Sequence, residues 1–223
     1  MSAARTHAHC NECGGMRWHH VLYALKEQTP GDESQIFSFE LLRCAGCDEV
    51  RLRKTTLSSL DREEDSKVLP RVTYYPPSTV RPAPKWLSDL LLEQLSGDVT
   101  SEYNLLLEIY AALHNGAPSL AAMGIRAVIE TVMVNAVGDE GSFKRNLSTL
   151  KSKGLISQLD IDHLMDVLDV GSAAIHRGHI PRLDDVIGAL DIAETLVKRL
   201  HLDKNAIAAL KKSTPPRSRK SDA

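Results

Sequence analysis

Aromatic residues are scarce: Phe, Trp and Tyr make up 4% of the 223 residues, so any sizeable core has to be aliphatic. Net charge is scarce too. With 27 Lys and Arg against 29 Asp and Glu, the formal charge is −2, and no global field draws in nucleic acid or an anionic membrane. Four cysteines are too few for a disulfide scaffold, and 43% hydrophobic with 25% charged residues excludes a disordered or collagen-like chain. The first ten residues hold no apolar stretch, so no signal peptide is read there and a cytoplasmic location, with reduced thiols, is expected. The longest near-apolar run, 120–138, carries Arg126 and Glu130 near its middle, where charge is costly in a bilayer. It reads as a buried helix, and no membrane partner is expected. There is no P-loop, HExxH or dinucleotide fingerprint, and the GDEG loop at 138–141 lacks the Lys and Ser/Thr of a phosphate cradle.

What is present begins with the cysteines. Cys10-Asn-Glu-Cys13 and Cys44-Ala-Gly-Cys47 are two CxxC pairs that use every cysteine in the chain. A two-residue gap lets both thiolates of a pair face one ion from a tight turn, and two such knuckles supply four soft ligands in a tetrahedron. The expectation is a structural Zn2+ on Cys10, Cys13, Cys44 and Cys47. A redox CxxC would need one pair and a thioredoxin-like βαβ context. His7, His9, His19 and His20 lie close in sequence, but with the cysteine set complete they read as surface residues. Arg17, Arg43, Arg51, Arg53 and Lys54 give this block basic character, and Glu12, Glu40, Asp48 and Glu49 offset it.

Strand-like stretches at Trp18–Leu25, Ile36–Cys44 and Glu49–Thr56 surround the knuckles, so residues 1–61 read as a zinc-ribbon β domain. Pro70, Pro76, Pro77, Pro82 and Pro84 then make 62–84 read as an extended linker. From Lys85 the period turns helical. Stripes at 86–95, 101–114, 118–138, 142–153, 160–176 and 181–202 predict five or six helices, an all-α bundle over 85–210. The last stretch, 211–223, holds five basic residues and two prolines and reads as a disordered basic tail.

Within the bundle, Arg126 and Glu130 are four apart and share a helix face. A charged pair on a central helix calls for a further polar partner. Asp169 and His176, two turns apart on the helix 160–176, are the candidates, with Arg177 or His179 beside them. These residues form either a site or a network that fixes helix register.

The stretches IRAVIETVMVNAVGDEGSFKRNLSTLKSKGLIS and LMDVLDVGSAAIHRGHIP resemble the domain-of-unknown-function 4145 family. Arg126 and Glu130 match its Arg-x-x-x-Glu helix. Leu147, Leu150, Gly154, Leu155 and Ile156 match its Leu-x-x-Leu and Lys-Gly-Leu-Ile elements, and Gly171, Ala173, Ala174 and His176 its closing segment. The two CxxC pairs and Tyr75-Pro76 also fit. The family looks related to the HEPN helical superfamily, whose members are often dimeric and include metal-independent ribonucleases. The resemblance therefore implies a HEPN-like bundle and a homodimer. It also implies an Arg separated from a catalytic His by four to six intervening residues. With His176 as that His, the Arg position falls on Asp169, Val170 or Gly171, so the signature is broken. The expectation is a non-enzymatic binding or adaptor protein, its partner RNA, DNA or another protein, in prokaryotic defence or RNA metabolism. The alternatives are an endoribonuclease using His176 as general acid/base with an Arg from another helix or protomer, Arg126 or Arg177 being the ones at hand and Glu130 a further candidate site residue, and a structural dimerisation module.

Overall fold

The computed structural model describes residues 4–30, 35–58, 70–95, 102–203, 207, 210 and 212–214. All but 212–214 of the expected basic tail thus lies outside the described residues. The chain divides into two compact units between Arg81 and Pro82.

The first unit is one antiparallel sheet of five strands in sequence order. They are β1 (Arg5–Cys10), β2 (Gly15–Gln28), β3 (Gln35–Cys44), β4 (Val50–Ser58) and β5 (Arg71–Tyr75). β2, β3 and β4 lie where β-branched and alternating apolar residues predict strands. The sequence pattern predicts neither β1 nor β5. RTHAHC is too polar to announce a strand, and it pairs with β2 alone, as an edge. β5 corrects the linker reading of 62–84. The prolines flank RVTYY without entering it, so an edge strand forms against β4 with Leu52 opposite Tyr75.

The second unit is helical. It comprises α1 (Leu87–Leu95), α2 (Glu102–His114), α3 (Pro118–Val137), α4 (Phe143–Ser152), α5 (Gln158–His176) and α6 (Leu183–Lys198), with a π-type turn over Arg199–Asp203. The ends are chemically marked. Pro118 sits in the first turn of α3. The Ser157 hydroxyl accepts from Asp160 N at 3.1 Å, and the Asp160 carboxylate accepts from Ser157 N at 2.8 Å, a reciprocal capping box for α5. Gly154, at φ 69°, ends α4 in the left-handed region.

α3 packs against α2, α4, α5 and α6. By length and composition it could cross a membrane. Here its Ile125, Val128, Ile129, Val132 and Met133 are buried in the aliphatic core of the helical unit. Its contact with α5 is made close by a glycine. A Cβ at Gly171 would lie 2.9 Å from Arg126 Cβ and 3.0 Å from the Ala122 carbonyl oxygen. A backbone carbonyl inside a helix cannot step aside cheaply, so small size is what this position needs.

Gly171→Ala is therefore expected to destabilise the helical unit by about 1–3 kcal/mol through overpacking. Gly188→Ala, on α6 with nothing within 4 Å of its Cβ, is expected to stabilise it by roughly 0.5–1 kcal/mol. Urea unfolding midpoints of the two variants should move in opposite directions; movement in the same direction rejects the close-approach argument.

Candidate functional site

The two turns that end β1 and β3 bring the four cysteine sulfurs within 4.8 Å of one another, an arrangement that could hold a metal ion. Cys10 Sγ and Cys47 Sγ are 3.5 Å apart, and Cys13 Sγ and Cys44 Sγ 3.9 Å. All four thiols are unbridged. Cys10 and Cys44 are buried, Cys13 is half-buried and Cys47 is exposed. Backbone amides aim at the sulfurs: Cys13 N donates to Cys10 Sγ at 3.3 Å, and Gly46 N to Cys44 Sγ at 3.4 Å. Such donors favour thiolate over thiol.

Acidity within the cluster is uneven. Burial, then the Glu49 carboxylate, pushes the Cys10 thiol up to about 12. Burial also raises Cys44, but the amides of Gly46 and Cys47 and the thiols of Cys10 and Cys47 together bring it down to about 7. Glu49 accepts from Cys10 Sγ at 2.9 Å and from Asn11 N at 3.0 Å. Its burial is outweighed by these donors, and its carboxyl stays below the usual range. Four sulfurs this close repel one another once ionised, so a cation among them is the natural counter-charge.

Behind the sulfurs lies a polar brace that was not legible in the sequence. Arg51, on β4, is 1% exposed. It donates to His9 O at 2.6 Å, to Asn11 Oδ1 at 3.2 Å and to Pro76 O at 2.8 Å, and its guanidinium lies 4.4 Å from the Tyr74 ring centroid. Asn11, inside the first CxxC turn, donates to Pro77 O at 3.0 Å and accepts from Thr79 N at 2.9 Å. The chain after β5 is thereby strapped to the first knuckle. The histidines are also not uniformly superficial. His19 is fully buried opposite Cys44, and its Nδ1 donates to Arg17 O at 3.0 Å. Alternation gives the reason: on β2, His19 falls on the face where Ala8, Leu42 and Cys44 are buried.

In the helical unit the candidate residues form two separate pairs. Arg126 contacts Glu130 at 2.8 Å, donates to Leu168 O at 3.3 Å and lies 5.8 Å from the Phe143 ring centroid. The further partner it needed is thus a backbone carbonyl on α5. Asp169 pairs with Arg177 at 2.8 Å, not with His176. Eight residues along α5, the long Arg side chain reaches back where the His, pointing to solvent, does not. Among the described residues no ion pair or hydrogen bond joins the two pairs. The His176 side chain is exposed and has no hydrogen-bond partner there, and His179 is exposed as well.

The deeply buried charges are elsewhere. Glu102, at the start of α2, is fully buried, accepts from Asn135 Nδ2 at 2.6 Å and lies 3.4 Å from His201 Nε2. Glu194, on α6, accepts from the Tyr110 hydroxyl. Both were visible as anomalies: Glu194 sits four residues after Leu190 on the apolar stripe, and Glu102 four before Leu106. A cleft of about 230 Å³ lies between α5 and α6, lined by Asp160, His163, Leu164, Ile192 and Arg199 among others. The Asp160–Arg199 pair closes one side at 2.8 Å.

Residues 107–214, from within α2 past the end of α6, match a family model described as Domain of unknown function (DUF4145). No curated protein and no solved structure matches the chain significantly.

The strap predicts a local effect. Asn11→Ala leaves Thr79 N and Pro77 O without their partner, a loss of about 1–3 kcal/mol for each group left unpaired. Hydrogen exchange at the Thr79 amide should quicken strongly while the β2–β3 amides keep their rates. An unchanged Thr79 rate would show that Asn11 does not hold the strap.

Proposed function

We propose that the chain is a non-enzymatic binding protein, built from a zinc ribbon and a HEPN-like helical bundle. The metal is read from the donor set and its spacing. Zn–S bonds of about 2.3 Å in a tetrahedron place sulfurs about 3.8 Å apart. Two of the pairings, Cys10–Cys47 at 3.5 Å and Cys13–Cys44 at 3.9 Å, bracket that value. Zn2+ also takes four thiolates without redox chemistry, as a reducing cytoplasm requires. Four cysteine ligands fill the coordination sphere, so such an ion braces the fold and has no position for substrate.

The observation that carries the non-enzymatic reading is the state of the two candidate arginines, Arg126 and Arg177. A general acid/base histidine cleaving RNA needs a cation poised on the phosphate. Arg126 is committed to Glu130 and to Leu168 O, and Arg177 to Asp169. The ribonuclease alternative keeps one supporting observation, the exposure of His176, which leaves room for an arginine from a second copy. A homodimer, and a role near nucleic acid in prokaryotic defence or RNA metabolism, complete the proposal on the strength of the family resemblance.

Purified protein is expected to carry one zinc per chain, released by a thiol-reactive mercurial, with the stoichiometry falling in Cys44→Ser. Labelled structured and single-stranded RNAs, incubated without added divalent metal, are expected to stay intact with wild type and with His176→Ala alike. Cleavage by wild type that disappears in His176→Ala would overturn the non-enzymatic reading.

A further inference from the structure

The sheet has two unlike faces. One turns Ala8, His19, Leu42, Cys44 and Arg51 inward, all of them buried. The other collects the side chains opposite in register. A bulge in β2 decides its composition. Pairing with β3 shifts between Val21 and Tyr23, so Trp18 and His20 before the bulge, and Tyr23 and Leu25 after it, point to the same side despite their opposite parity. Tyr23 then stands opposite Leu41, Leu25 opposite Phe39, and Tyr75 of β5 opposite Leu52.

This face holds Trp18, Tyr23, Phe37, Phe39 and Tyr75, five of the ten aromatic residues in an aromatic-poor chain. Core formation does not explain them. Trp18 is 57% exposed, Tyr23 63% and Tyr75 51%. Cations interleave with the rings. Lys54 Nζ lies 4.7 Å from the Phe37 centroid and 5.7 Å from that of Phe39, and the His7 ring lies 4.9 Å from Trp18. Arg43 and Arg71 flank them on β3 and β5. Among the described strand residues the one carboxylate on this face is Glu27. Of the other acids, Glu40 pairs with Arg53 on the opposite face at 2.6 Å and Glu49 is turned to Cys10, while Asp48, in the turn after β3, lies 3.9 Å from Arg43 Nε and offsets part of that charge.

We propose that this open sheet face binds single-stranded nucleic acid, its exposed rings stacking on unpaired bases and its cations meeting the phosphates. The proposal rests on the binding-protein reading above and names the partner class. The chemistry is that of stacking platforms on positively charged grooves, where every base offers a π-face and the backbone supplies the negative charge. The strip from Phe37 to the turn beside Trp18 runs eight residues of β3, roughly 26 Å, enough for a short segment of single strand. A second copy of the chain fits this face less well. Face-to-face apposition would set Lys54 and Arg71 against their own kind, with Glu27 the one carboxylate among the described strand residues of the face. A duplex hides its bases and leaves the rings without partners.

The test uses the full-length, zinc-loaded protein with fluorescein-labelled 12-mers of oligo-U and oligo-dT, read by anisotropy beside a duplex of equal length. Both single strands are expected to bind at least about tenfold more tightly than the duplex; an RNA preference would place the 2′-hydroxyl in the contact, and equal affinities would place bases and phosphates alone. Trp18→Ala and Tyr23→Ala, both at exposed positions, should each weaken binding roughly 5- to 150-fold. Lys54→Ala should flatten the salt dependence of affinity by about 0.7 in log–log slope. Lys26→Ala, on β2 with Trp18 and Tyr23 but on the opposite face, should change affinity little. Absence of binding, or binding indifferent to Trp18 and Tyr23, overturns the proposal. So does concentration-dependent dimerisation abolished by Tyr23→Ala without oligonucleotide binding. Cleavage of oligo-U in the same samples would instead overturn the non-enzymatic reading, while oligo-dT, lacking the 2′-hydroxyl, still reports on the surface.

Discussion

A guanidinium removed from water must find acceptors for its N–H groups or forfeit the free energy of their hydration. Arg51 finds them in three separate places: the carbonyl of His9 at the end of β1, the side chain of Asn11 inside the first cysteine turn, and the carbonyl of Pro76 just past β5. The two edges of the sheet and one knuckle are thus held from a single point on β4. Asn11 extends the same brace to Pro77 and Thr79. With the knuckle positioned this way, Cys10 and Cys13 meet Cys44 and Cys47 within 4.8 Å. The thiol cluster and the polar brace support each other: the brace sets the sulfurs, and a cation among the sulfurs would lock β1 to β3.

The same constraint shapes the surface. Because Arg51, His19 and the cysteines take the inward face, the aromatic residues of β2 and β3 are left on the outside. In most antiparallel sheets one face is apolar and buried and the other polar and wet. Here the buried face near the knuckles is polar and sulfur-rich, and the wet face is aromatic. That inversion gives the sheet a surface suited to a flat, stackable ligand.

The helical unit solves a different problem. Its α3 is so apolar that it has to be enclosed, and it is enclosed by close approach: Gly171 lets α5 come down on Ala122 and Arg126. Arg126 then reaches Leu168 O and stays with Glu130. Three of the residues that carry the family resemblance, Arg126, Glu130 and Gly171, are therefore neighbours at one helix–helix contact. Their geometry accounts for them as packing and register determinants. The buried carboxylates of Glu102 and Glu194 tie α2 to α3 and to α6 through Asn135 and Tyr110.

The elements whose signal is local are legible in the amino-acid sequence. Periodicity placed the six helices, alternation placed β2, β3 and β4, and the CxxC spacing named the four sulfurs, because each depends on residues a few positions apart. Such signals miss β1 and β5, since an edge strand is specified by its neighbour's free hydrogen-bonding groups more than by its own composition. Spacing alone makes His19 a surface residue and leaves Arg51 one basic residue among five, because burial depends on which face of the sheet is covered. Asp169 was matched to His176 by helical spacing, whereas side-chain reach gave it Arg177. The aromatic face was beyond sequence reading for the same kind of reason. Only the β2 bulge and the cross-strand register bring Trp18, Tyr23, Phe39 and Tyr75 onto one side, and a one-residue slip in either would disperse them.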